Sequence, residues 1–153
     1  MMSEMAQGSG PRAYDPLVRE PLRSALDRVG DRWSLLVIEA LLAGPRRWSE
    51  LAEDVRGIAP NVLSERLRRL AREAVVAARP YSDRPVRMTY ELTATGRELA
   101  GALRLLAHWG AERSDRAESL RHLACGTPVE ARWYCPTCAR PVEDEEGGDL
   151  RYV

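Results

Sequence analysis

A mainly α-helical domain with one small β-hairpin, followed by a small cysteine-bearing ribbon at the C-terminal end, is the architecture that this sequence predicts. Three observations carry the prediction. Apolar residues recur at helical spacing in separate stretches between Pro16 and Trp109. Two short β-prone runs, 75–79 and 87–92, flank a turn-rich segment. All three cysteines, with one of the two histidines, fall between His122 and Cys138.

Composition bounds the reading. A chain of 153 residues holds one ordinary domain and a small appendage. Net charge is zero, yet residues 16–113 carry 17 Arg against 13 acidic side chains, while 114–153 carry 5 against 8. The helical part is therefore the basic part. Every basic residue is Arg and Phe is absent, a bias that a GC-rich genome produces, so it reads as composition before recognition. There is no apolar run of about 18 residues and no signal peptide, which predicts no membrane span and a cytoplasmic protein.

Residues 1–15 are small and polar without a period, and predict a mobile N-terminal arm. From Pro16 the apolar positions Leu17, Leu22, Ala25, Leu26 and Val29 predict a first helix that ends at Gly30. Asp31 can cap a second, with Trp33, Leu36, Val37, Ala40 and Leu41 as its buried side, widened by Leu35, Ile38 and Leu42. Gly44-Pro45 stops that helix. Arg46-Arg47-Trp48 reads as a short extended segment, and Ser49 begins a third helix with Leu51, Ala52 and Val55 inward.

Gly57 allows a tight turn, and Pro60 suits the first turn of a fourth helix, where no N–H is missed. Leu63, Leu67, Leu70 and Ala74, with Ala59 near the same line, share one face at about 100° per residue. Asn61, Glu65, Arg68 and Arg72 share the opposite face, flanked by Ser64 and Arg69. An ordinary amphipathic helix with a solvated arginine face has the same pattern, so its neighbours decide its meaning. The hairpin follows, with 80–86 as a basic, aromatic-bearing loop. Thr93 then caps a fifth helix through Leu99, Leu103, Leu106, Ala107 and Trp109.

A short third helix, a turn, a polar-then-basic fourth helix and a hairpin is the order of a winged helix-turn-helix. The segments Ala-Leu-Asp-Arg-Val-Gly-Asp-Arg-Trp-Ser-Leu-Leu (25–36), Gly-Pro-Arg-Arg-Trp-Ser-Glu-Leu (44–51), Asn-Val-Leu-Ser-Glu-Arg-Leu-Arg-Arg-Leu (61–70) and Tyr-Glu-Leu-Thr-Ala-Thr-Gly-Arg-Glu-Leu (90–99) are similar, in order and spacing, to the signatures of the HxlR family of bacterial transcriptional regulators. The resemblance covers roughly residues 20–110. It implies a winged helix fold over 16–113, a homodimer through the first and last helices, and sequence-specific binding to double-stranded DNA. One departure stands out: members of that family commonly carry a cysteine just before the proline of the first helix, where this chain has Glu20 before Pro21.

On this reading the DNA-binding residues are Pro60, Asn61, Ser64, Glu65, Arg68, Arg69, Arg72, Tyr81, Arg84 and Arg87. Asn61 and Ser64 are short and near the helix start, which suits base edges. Glu65 either accepts from cytosine or holds Arg68 or Arg69 by helical pairing. Arg68, Arg69 and Arg72 with Arg84 and Arg87 would form a strip along phosphates. Arg66 lies nearer the buried side and predicts a structural ion pair. Tyr81 sits in the hairpin loop, although it and Tyr90 are residue types that pack more often than they touch DNA. Trp33 and Trp48 read as core.

Beyond the helices, 114–142 reads as a linker and ribbon, and 143–153 as a disordered acidic tail. His122-x-x-Cys125 and Cys135-x-x-Cys138 present four N/S ligands as two knuckles, the spacing that wraps a tetrahedral zinc. With no open position, such a Zn²⁺ would be structural. A reversible Cys135–Cys138 dithiol and unliganded thiols remain the other readings. His108, beside Trp109, reads as a packing or dimer-interface residue. No nucleophile-base-acid set or phosphate loop suggests an enzyme. The rivals to a DNA-binding regulator are a zinc- or thiol-responsive sensor and a protein-interaction adaptor; a small-molecule effector is compatible with each.

Overall fold

Asp31 starts the most deeply buried helix of the chain. Its carboxylate accepts the Ser34 N–H at 3.1 Å and the Ser34 hydroxyl at 2.6 Å, so the free amides of the first turn and a fully buried hydroxyl are satisfied together. The computed structural model describes residues 16–114 and 120–142. Within them run α1 (Pro16–Val29), α2 (Arg32–Leu42), β1 (Arg46–Arg47), α3 (Trp48–Asp54), α4 (Pro60–Arg72), β2 (Val76–Asp83), β3 (Val86–Leu92), α5 (Ala94–Glu98), α6 (Ala100–Ala111), β4 (Trp133–Cys135) and β5 (Arg140–Val142). The expected N-terminal arm, part of the linker (115–119) and the acidic tail lie outside the described residues.

The core is built where α2, α3 and α4 meet the sheet. Val37, Ile38 and Leu41 of α2 pack with Leu51, Leu63, Leu67 and Leu70, and Val75, Val76 and Leu92 close the cluster from the hairpin side. Each such side chain contributes about 1.5–3 kcal/mol on burial. The antiparallel sheet has the order β1-β3-β2, with Arg46 opposite Tyr90 and Arg47 opposite Thr89. The two-residue β1 thus ties the start of α3 to the hairpin.

Several boundaries differ from the sequence reading, each for a local reason. α3 begins at Trp48, one residue early, because the Glu50 side chain accepts the Arg47 N–H and caps the turn. Ala59 and Ala74 leave the apolar face of α4: Ala59 is its exposed N-cap, and Ala74 is exposed beyond its end at φ +55. The expected 80–86 loop is mostly strand. Pairing continues to Asp83 and Val86, with a bulge between Pro80 and Ser82, and only the cis Arg84-Pro85 step turns the chain. The expected fifth helix is two, α5 and α6, parted at Leu99, whose N–H turns to Gly96 O at 3.3 Å. Trp33 and Trp48 pack on the core while remaining half-buried.

The outer helices are the least buried. Leu22 and Leu26 of the first helix are more than half exposed, and among the described side chains of that apolar row only Val29 is buried. On α6 no residue is buried, and Leu106 and Trp109 are more than half exposed as well. Periodicity identified these faces as apolar; within one chain nothing among the described residues covers them.

Candidate nucleic-acid interface and cysteine knuckles

Gly57 turns the chain between α3 and α4 at φ +83, and Ile58 is buried just before Pro60 opens α4. With Leu63, Leu67 and Leu70 fixed inward, Asn61, Glu65, Arg68 and Arg72 are held in solvent. Among the described residues, Asn61, Arg68 and Arg72 have no hydrogen-bond or ionic partner. The other two arginines of α4 are spoken for. Arg66 Nε donates to Asp31 Oδ1 at 2.9 Å, and Arg69 reaches Asp31 Oδ2 at 3.7 Å and the Asp27 carbonyl.

Arg66 therefore makes the structural ion pair expected of it, while Arg69, expected on the phosphate strip, is folded back toward α1 and α2. Glu65 contacts Arg66 Nη1 at 3.2 Å, where Arg68 or Arg69 had been expected. Ser64 is also engaged: its hydroxyl accepts the Trp48 indole N–H at 3.2 Å and donates to the Pro60 carbonyl at 3.0 Å. That pair of bonds sets the two helices of the helix-turn-helix against each other, a role for Ser64 that short-range pattern did not suggest. Asp31 gathers the cost of this network. Burial opposes its charge, but the Ser34 hydroxyl and amide and the Arg66 guanidinium outweigh that, and its carboxyl titrates below the ordinary value.

The hairpin carries the second set. Tyr81 is the extra residue at the bulge, between the pairs Pro80–Met88 and Ser82–Arg87. The Arg47 guanidinium lies 4.7 Å from the centre of its ring. Arg47, Trp48, Ser49, Tyr81, Val86 and Arg87 line a notch of about 440 Å³ between hairpin and α3. Arg84 at the turn and Arg87 on β3 are exposed, with no partner among the described residues. Tyr90 packs against the core, and burial pushes its phenol up. Two residues that sequence reasoning passed over belong here. Arg47 joins the notch through its stacking on Tyr81, which only the sheet pairing reveals. Arg56, exposed and unpartnered among the described residues, sits in the α3–α4 turn, where its place beside Gly57 was a signal.

The cysteines form two knuckles of similar build. In the first, Val129 N–H donates to Leu120 O at 2.9 Å and His122 N–H to Thr127 O at 2.9 Å, and the tip closes with Gly126 N–H on His122 O at 2.7 Å. His122 Nδ1 is 3.3 Å from Cys125 Sγ. In the second, β4 and β5 pair with Cys135 opposite Arg140. The residue following the second member of each pair is left-handed, Gly126 at φ +71 and Ala139 at φ +52. Amides turn onto the sulfurs: the Thr127 hydroxyl and amide lower the Cys125 pKa, and the Cys138 amide and thiol with the Thr137 amide lower that of Cys135. Cys138 is raised by its bond to Cys135. Among the described residues no three potential ligands gather into one cluster, so the knuckles stand as two pairs.

A short helix braced on a second by an inter-helix hydrogen bond, with a hairpin beside it, defines a winged helix-turn-helix protein. The profile of the HxlR-like helix-turn-helix family matches residues 28–118, and the chain belongs to that family. It is 39% identical over 137 residues to an uncharacterised HTH-type transcriptional regulator of Mycobacterium tuberculosis (strain ATCC 25618 / H37Rv), covering 84% of this chain and 86% of that one. A Pseudomonas aeruginosa structure assigned as a transcription factor superposes with TM-score 0.63 at 32% identity, over 82% of this chain and 88% of the other. The redox regulator HypR in its oxidised form gives TM-score 0.58 at 26% identity, over 62% and 98%. No described helix is long and apolar enough to cross a membrane.

Proposed function

We propose that this protein is a sequence-specific, DNA-binding transcriptional regulator that acts as a homodimer on a near-palindromic operator. The observation that carries it is the division of labour on α4. Arg66 and Arg69 are bound to Asp31, whereas Arg68 and Arg72 extend into solvent without an acidic partner among the described residues. A solvated helix of structural purpose alone gains by pairing its charges along the surface. One that meets DNA keeps cations available for phosphate and base edges. Asn61 at the start of α4 would face base edges, with Pro60, Ser64 and Glu65 beside it. Arg68 and Arg72 would face base or phosphate, and Tyr81, Arg84 and Arg87 of the hairpin the flanking backbone. The ties of Arg69 and Ser64 favour a supporting role for both.

The exposed apolar rows of α1 and α6 support the homodimer, since a second copy would cover them symmetrically. Two α4 helices would then meet successive major grooves, roughly 34–36 Å apart. The test is binding to the DNA upstream of the protein's own gene across a salt series. The expected result is a site-specific footprint whose affinity falls linearly in log-log form with salt. Binding without sequence preference would instead favour the adaptor reading, in which the winged helix serves as a docking module.

His122, Cys125, Cys135 and Cys138 would together hold one structural Zn²⁺. Their donor set is one nitrogen and three sulfurs, the left-handed step after each pair is shared, and amides already face two of the sulfurs. Bound there, zinc would supply cross-linking of the two knuckles and no chemistry. A sensor reading is favoured by one observation: the Cys135 and Cys138 thiols share a hydrogen bond, so loss of metal would leave a dithiol ready to close.

A further inference from the structure

The helix α6 has two working faces. Leu106 and Trp109 point away from the domain, and Leu103, Ala107 and Ala111 point toward α2 across a cleft of about 420 Å³. Glu39 and Leu42 of α2, with Ala43 just beyond its end, form the facing wall, and Leu120 covers one end. A volume of that order is at the lower range for small-molecule sites.

Three polar groups line this cleft with bonding capacity unused among the described residues. Arg104 of α6 and Glu39 of α2 are of opposite charge, yet they make no ion pair with each other or with any described residue. His108, one turn beyond Arg104, has Nε2 3.5 Å from Glu112 Oε1, and its Nδ1 is buried with no hydrogen-bond partner. A buried polar atom left unsatisfied is costly, and a ligand is one way to satisfy it. The rest of the lining is apolar, alanines at 43, 107 and 111 and leucines at 42, 103 and 120.

We infer that the cleft between α2 and α6 is an effector site for a small zwitterion with an apolar body, the chemistry of an apolar α-amino acid. Its carboxylate pairs with Arg104 and its ammonium with Glu39. Either tautomer of His108 is served, because the ammonium donates to a bare Nδ1 and the carboxylate accepts from a protonated one. The side chain lies on the Leu42, Leu103 and Leu120 surface. An anion alone would leave Glu39 unpaired, and an amine alone would leave Arg104 so. The site lies between α2, whose buried face packs on the helix-turn-helix, and the helix proposed to join the two copies, so occupancy would alter the spacing of the recognition helices. That last consequence rests on the regulator reading above; the binding itself does not.

The experiment is calorimetric titration of the full chain with L-phenylalanine, 3-phenylpropionate and phenethylamine, repeated on Arg104→Gln and Glu39→Gln. Saturable binding of L-phenylalanine is expected, with each single-charge analogue and each variant weaker by about tenfold or more. Secondary-structure spectra and thermal unfolding verify that the variants fold, since both positions are exposed. Operator affinity is then measured with and without L-phenylalanine. Absence of saturable binding, equal binding of all three probes, or unchanged binding by both variants overturns the inference. Binding by a protein that fails to recognise any operator would leave the site standing and remove the regulator reading; an operator-binding protein indifferent to all probes does the reverse.

Discussion

At the scale of single residues, the fourth helix shows how identical side chains acquire opposite duties from their environment. Arg66 and Arg69 sit a turn from Asp31 in space although 35 and 38 positions separate them from it in sequence, and they are held there. Arg68 and Arg72, on the same helix, have no such anchor. The roles separate by experiment. Arg68→Ala should leave folding nearly unchanged and lose about 1–3 kcal/mol on the specific operator, with relaxed preference at one base pair. If Arg68 meets phosphate instead, all sequences should weaken alike and the salt slope should drop by about one. Arg66→Ala should do the opposite: it strips Asp31 of its nearest cation and lowers stability by about 1 kcal/mol or more, with little change in base preference. Chemical denaturation and operator titration on both variants decide this. Equal stability loss in the two, with operator affinity intact, would remove α4 as the reading element.

At the scale of elements, local signals fixed what local physics controls. Asp31 caps α2, Pro60 opens α4 and Thr93 accepts the Gly96 N–H at 3.0 Å to start α5, all as the sequence reading expected. The bonds that the sequence reading missed are long-range: Trp48 to Ser64 across α3 and α4, Arg69 back to α1, and Arg47 onto Tyr81 across the sheet. Spacing along the chain does not encode such partners. It likewise marks an apolar face without saying what covers it, as the open faces of α1 and α6 show. The cap gives a pH prediction. The folded-state carboxyl of Asp31 is depressed, so its contribution is complete above the unfolded value near 4 and is lost as pH falls through the lower folded value. Asp31→Ala should cost about 1–2 kcal/mol at pH 7, and the gap to the parent protein should close below pH 4. A gap that widened in acid would contradict the assignment. The two knuckles give another: purified protein should contain one zinc per chain, and Cys135→Ser should abolish it, because three ligands hold the metal poorly in a segment with almost no core. Metal analysis that finds none in protein with three free, titratable thiols would refute the ribbon.

At the scale of the whole molecule, the open faces of α1 and α6 and the placement of the cysteines set how the protein would respond to its surroundings. Sedimentation at micromolar concentration should show a dimer, and Leu106→Glu with Trp109→Ala should yield monomers that bind operator much more weakly, since half-site affinities no longer combine. A parent protein that is monomeric and still occupies a single half-site would defeat the two-fold arrangement. The redox response follows from composition. Residues 1–124 contain no cysteine, and Glu20 stands where the resemblance to the family places one, so the helices proposed to bind DNA and to dimerise hold nothing for a disulfide reagent to oxidise. Any effect of thiol oxidation must pass through Cys125, Cys135 and Cys138. Thiolates bound to zinc are partly shielded, and strong oxidants that take them eject the metal. Mild diamide should therefore leave operator affinity unchanged, while peroxide strong enough to alter it should release zinc in parallel, followed with a chromogenic chelator. The Cys125→Ser, Cys135→Ser, Cys138→Ser triple variant serves as the thiol-free control and should be indifferent to both reagents. Loss of operator affinity in that variant on diamide treatment would show that oxidation acts on the winged helix by a route independent of thiols.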